Sequence, residues 1–173
     1  MSKSKKNSKD DKQYEKIEHK RMGVSASAIG DPNVVNCLIY NSYANSHSTS
    51  KYSYDVSITD GNGGRGGAGE DLILGVYDVG DYRTVDYLRQ ILPYLGRMDN
   101  LVILGVRAES RVYRDPLAAP HGTLRSLMQQ FRCPGTEIFN CGGPQAATAI
   151  FGLYGHVNPE PFETDQNNKK KKK

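Results

Sequence analysis

The chain has no tryptophan, only three cysteines, and a single lysine between its two ends. Each scarcity excludes something. Cys37, Cys133 and Cys141 are too few for a disulfide framework. The charged start has no apolar core behind it, so no secretory signal is read there, and the thiols are expected to stay reduced. Long apolar runs are also missing. The longest, such as 72–77 and 101–106, are of strand length, far from the ~18–20 residues of a membrane span. Ser2 follows Met1 and Cys141 lies well inside the chain, so neither lipidation pattern applies.

Reactive constellations are equally sparse. No serine stands in G-x-S-x-G, and no cysteine has a catalytic surround. Cys133, Cys141, His121 and His156 lack the compact spacing of a zinc ligand set. Asp78 and Asp81 flank Val79-Gly80, where turn formation and helix capping explain both without a metal. Residues 64–69 (GRGGAG) satisfy G-x-G-x-x-G formally. A dinucleotide site needs those glycines to lead from a strand into a helix; here they lead into LILGVYD, a strand pattern. The loop reads as a surface connection. No cofactor, metal or catalytic residue is assigned, and the reading is of a non-enzymatic protein.

What the chain does have is segregated charge. The total is 23 basic against 19 acidic residues. Residues 1–21 hold eight basic and four acidic residues, and 159–173 hold five and three. The stretch 22–158 holds ten and twelve, with Lys51 its one lysine. Net charge therefore runs +4, −2, +2 along the chain. The division expected is a disordered basic arm at 1–22, one globular domain at 23–158, and a disordered tail at 159–173. Polar, lysine-rich ends bury too little surface to offset their ordering entropy. Lys3, Lys5, Lys6, Lys9 and Lys12, with Lys169, Lys170, Lys171, Lys172 and Lys173, are the candidate contacts to a polyanion. Near an anionic bilayer each contributes ~1 kcal/mol; on nucleic acid they release counterions.

Within the domain, 34–43 and 52–59 read as strands joined by a hairpin, the second with a period of two. Strands are expected at 72–78 and 101–107, with short ones at 110–114 and 136–140. Asp81 caps a helix over 82–92 that Pro93 ends. Thr123 caps a second helix that Pro134 stops, and Gly143-Pro144 opens a third through Ile150. Hairpins before helices predict an α+β class: a mainly antiparallel sheet with two or three short helices. Tyrosines 40, 43, 52 and 54 cluster in the first two strands. Tyr40, Tyr43, Tyr52 and Tyr54 are either a stacking platform for single-stranded RNA or cross-strand packing on a half-exposed sheet.

A lysine-rich arm, KSKKNSKDDK, ahead of one small α+β domain resembles the matrix proteins of plant rhabdoviruses, the cytorhabdoviruses in particular. QILPYLG (90–96) followed by Asn100-Leu101 is similar to a helix end in that family's core. The resemblance implies a self-associating structural protein in the virion, beneath the envelope. Its partners would be the viral nucleocapsid and RNA, the anionic membrane and an envelope glycoprotein tail. In the host it would be cytoplasmic and peripheral on membranes, with the lysine runs suited to nuclear import. No two prolines are adjacent, so the family's P-P-x-Y late-domain motif is missing from the arm. The alternative is a non-enzymatic single-stranded RNA-binding module, such as a silencing suppressor, movement factor or small capsid protein.

Overall fold

The computed structural model describes residues 20–41, 46–48, 52–63, 69–96 and 98–159. Its elements in order are β1 (Lys20–Gly30), α1 (Pro32–Tyr40), β2 (Ser46–Ser48), β3 (Tyr52–Asp60) and β4 (Leu72–Asp78). Next come α2 (Tyr82–Ile91), β5 (Leu101–Val106), α3 (Glu109–Val112), α4 (Thr123–Phe131), β6 (Gly135–Glu137) and α5 (Gly143–Val157). The sheet order is β2-β3-β1-β4-β5-β6. Every pairing from β3 to β6 is parallel; β2 alone is antiparallel, on β3. Helices cover both faces, so the fold is doubly wound α/β.

This overturns the antiparallel α+β expectation. The error began at 34–43, where VVNCLIYNSY looked like a strand. Asp31 accepts the Asn33 amide at 2.9 Å and Pro32 takes the first helical turn, so the segment starts as a helix. Val34, Val35 and Leu38 then share the buried face of α1. A short apolar run of β-branched residues fits either period. With the first strand gone, β3 pairs instead with β1, in the register Tyr52↔Lys20 to Asp60↔Ala28. A hairpin does exist, between β2 and β3. The 110–114 segment is also corrected: it carries the end of the single helical turn α3, not an edge strand.

Other elements stand where the residues place them. β4 and β5 are buried along almost their whole length, as interior parallel strands must be. Asp81 caps α2 through the Arg83 amide at 3.0 Å, and a 3-10 turn over Leu92–Leu95 absorbs Pro93. The third helix runs on to Val157, beyond Ile150. At α4 the N-cap is Gly122, with φ +90°, while Thr123 Oγ1 donates back to the Pro120 carbonyl at 2.7 Å.

Strand alternation divides the core in two. Leu72, Leu74 and Val76 point to the α1/α5 face, with Val24, Ala26 and Ala28 of β1. Ile73 and Tyr77 point to the α2/α4 face, with Ile103, Leu88 and Leu127. β1 is much longer than its neighbour on one side. Its pairing with β4 begins only at Ala26↔Leu72, whereas its pairing with β3 begins at Lys20. Six residues at ~3.3 Å each make β1 and β3 a tongue of about 20 Å beyond the start of β4. β1 itself begins at Lys20.

Candidate functional site

In open α/β sheets the ligand crevice lies at the carboxyl ends of the strands, where the strand order reverses. Here that point falls between β1 and β4, whose chains leave toward opposite faces. The groups there are Gly30-Asp31 after β1, Asp60-Gly61-Asn62 after β3, Asp78 to Asp81 after β4, and Arg107 after β5.

Several of their polar groups are paired with one another. Asn62 Oδ1 accepts the Gly30 amide at 3.1 Å, and Gly61 donates its own amide to the Ala28 carbonyl at 2.8 Å. Side chains at 61 are excluded, since a Cβ there would stand 2.8 Å from Ile29 Cγ1. Asp31 caps α1 and Asp81 caps α2, so both helix N-termini facing the crevice carry a carboxylate. Asp78 Oδ1 accepts from the Gly80 amide at 2.7 Å and from Arg107 Nε at 2.9 Å. That hydrogen bond raises the Arg107 guanidinium pKa. Arg83 holds the Asp81 carboxyl below its ordinary range in the same way.

A phosphate would meet capped helix ends and paired arginines. The strand–loop–helix from β1 to α1 is placed where a phosphate loop would stand, but it is short and acidic and lacks lysine. The crevice is thus built for self-pairing rather than anion capture. Among the described residues no group of three or more His, Cys, Asp or Glu side chains is placed to hold a metal. Asp78 and Asp81 have the turn and cap roles their spacing suggests. Cys133 packs on the α2/α4 face and Cys141 on the α1/α5 face, so they share no site. Burial pushes the Cys133 thiol up to about 11.

Tyr52 and Tyr54 are packed against α5. Tyr54 is 3% exposed and stacks on Phe151 of α5, with ring centroids 3.9 Å apart and planes 3° from parallel. Its hydroxyl lies 3.3 Å from Thr148 Oγ1. Tyr52 is half-buried and tilts against the same Phe151. A base cannot stack where Phe151 already does, because α5 covers that face of β3. Tyr40 is exposed, at the end of α1. Tyr43 lies outside the described residues, as do the lysines from Lys3 to Lys12 and from Lys169 to Lys173.

The places where those lysine segments join the body are described. α5 opens beside the carboxyl ends of the strands, where the Gly143 amide donates to Asn41 O at 2.8 Å. It crosses the sheet until Phe151 rests on Tyr52 and Tyr54, the register partners of Lys20 and Met22. Val157 ends the helix six residues later, about 9 Å of helical rise, and still packs on the α1/α5 core. The chain therefore enters β1 and leaves α5 toward the same end of the sheet, that of the amino ends of the strands. Sequence reasoning missed this, because it depends on strand register. The opposite end exposes Tyr82, Val112, Tyr113, Leu117 and Phe139, all of which come after carboxyl ends of strands. No family model matches the chain, and no curated protein matches it.

Proposed function

We propose that the protein is a non-enzymatic module held on an anionic membrane surface by its two lysine-rich end segments. One observation carries this: both segments join the body toward the amino ends of the strands, one at the start of β1 and the other after α5, whose Phe151 rests on the start of β3. Two weak electrostatic contacts on one rigid body reinforce each other only if both reach the same surface. A shared end of the sheet meets that condition, and it turns the apolar residues exposed at the carboxyl ends of the strands away from the lipid. The membrane is favoured over RNA by the charge and the packing of the body. The stretch 22–158 is net acidic by two charges, and Tyr52 and Tyr54 are committed to Phe151. A matrix role in a virion is the specific form of this reading that the arm suggests, and it rests on the arm alone.

Vesicle sedimentation tests the proposal. Binding should require phosphatidylserine and weaken at high salt. Replacing Lys3, Lys5, Lys6, Lys9 and Lys12 by glutamine should weaken it by at least about tenfold. Replacing Lys169 to Lys173 should do the same, and both sets together should abolish it. Unchanged binding in the double set sinks the membrane role. Tighter binding to a short single-stranded RNA than to the vesicles, at equal salt, would give the tails to nucleic acid instead.

A further inference from the structure

Two of the three cysteines, 104 positions apart in the chain, are brought together by the fold. Cys37 lies on α1 and Cys141 in the turn between β6 and α5, and burial together with the neighbouring Cys37 thiol raises the Cys141 pKa. The segments that carry them are clamped. Asn41, one helical turn after Cys37, donates from Nδ2 to Cys37 O at 2.7 Å and lies 3.4 Å from Cys37 Sγ. Asn41 O accepts the Gly143 amide at 2.8 Å. A Cβ on Gly142 would stand 2.6 Å from Asn41 Cβ, so the glycine beside Cys141 lets the backbones approach. Both cysteines are free and half-buried, so a small oxidant can reach them.

We propose that Cys37 and Cys141 form a reversible redox pair that closes into a disulfide when it meets a low-molecular-weight disulfide such as oxidised glutathione. The Cys37 thiolate attacks one glutathione sulfur, the glutathione S–S bond breaks, and one glutathione thiolate leaves. The Cys141 thiolate then attacks Cys37 Sγ in the mixed disulfide and expels the second glutathione. Two protein thiols are oxidised, one glutathione disulfide is reduced to two thiols, and two protons are released from the protein to the departing thiolates. Cys37 attacks first because burial and the neighbouring Cys37 thiol hold the Cys141 thiol well above its ordinary range. That second influence disappears once Cys37 is capped. The bond would tie α1 to the entry of α5, on the β1 side of the crevice. Cys133, on the other face of the sheet, takes no part.

The full chain is incubated with oxidised glutathione, alkylated, digested and analysed by mass spectrometry. The expected product is one peptide pair joined through Cys37 and Cys141, with Cys133 alkylated. Dithiothreitol should restore two alkylatable thiols, and the oxidised form should melt at higher temperature than the reduced form. In Cys141→Ser, glutathione should remain attached at Cys37. Cys37 and Cys141 both still alkylated, each carrying its own glutathione, or joined instead to Cys133 would overturn the proposal.

Discussion

Gly105 of β5 leaves the space through which Tyr77 of β4 reaches Glu137 of β6. The three are register neighbours across the sheet, Tyr77↔Gly105 and Gly105↔Glu137. A Cβ at 105 would stand 2.7 Å from Tyr77 Cζ and 2.8 Å from Glu137 Cγ. Through the gap the Tyr77 hydroxyl donates to Glu137 Oε1, while Arg111 of α3 donates to both carboxylate oxygens. Arg111 Nε also donates to the Ala119 carbonyl at 2.7 Å. The network thus ties α3 and the loop before α4 to the last strand. Burial and the Glu137 carboxylate push the Tyr77 phenol far above its ordinary range, so it stays a donor.

Gly105→Val should destabilise by about 1–3 kcal/mol through overpacking. Losing the Tyr77 hydrogen bond to a charged acceptor adds to that. Tyr77→Phe removes only the hydroxyl and should cost about 1.5–3 kcal/mol. Urea unfolding reads both as a lower midpoint with unchanged slope. Equal stability of Gly105→Val and the parent would mean that Tyr77 does not cross at this point.

The pH dependence originates at Glu137. Burial alone would raise its carboxyl pKa, but hydrogen bonds from Arg111 and Tyr77 outweigh it and hold the group below the ordinary range. The folded pKa therefore lies under the unfolded value of about 4.3. The stability from this group is fully present above that value and is lost as pH falls through the folded pKa. Glu137→Gln should flatten the acid limb of the stability curve below about pH 4.3. Arg111→Ala, which strands a mostly buried carboxylate, should cost about 3–5 kcal/mol near neutrality. Parallel acid limbs for the parent and Glu137→Gln would contradict this assignment.

Tyr54→Ala separates packing from recognition. Removing a buried ring stacked on Phe151 should cost about 3–5 kcal/mol, seen as a lower melting temperature. Phe151→Ala should lose a similar amount, and the double variant less than the sum, because the rings share one contact. RNA affinity of either variant, measured below its melting temperature, should equal that of the parent. A selective loss of RNA binding with unchanged melting would restore the stacking platform.

Local features were legible where one residue type dictates the backbone. Asp81, Pro93 and the stripe from Val85 to Leu92 specify α2. Continuous apolar runs specify β4 and β5, since interior parallel strands are covered on both faces. β1 was not legible: VSASAIG is small and polar, and its strand character comes from neighbours on both sides. The strand-like run of α1 misled because Asp31 and Pro32 outrank its β propensity. The polar caps of the crevice at Asp78 and Asp81 were readable from spacing; their pairing with Arg107 and Arg83 was not.

The sequence by itself determined the charge segregation: a near-neutral body between two lysine-rich segments. It also determined the Asp81 cap of α2 and the lack of phosphate-loop or nucleophile motifs. Tertiary structure alone decided that strands β1 and β3 to β6 run parallel and that α5 lays Phe151 on the start of β3. It alone decided that Tyr54 faces Phe151 and that Cys37 meets Cys141. These are contacts between residues far apart in the chain. They depend on strand order and register, which local propensity does not encode because a strand takes its partners from packing.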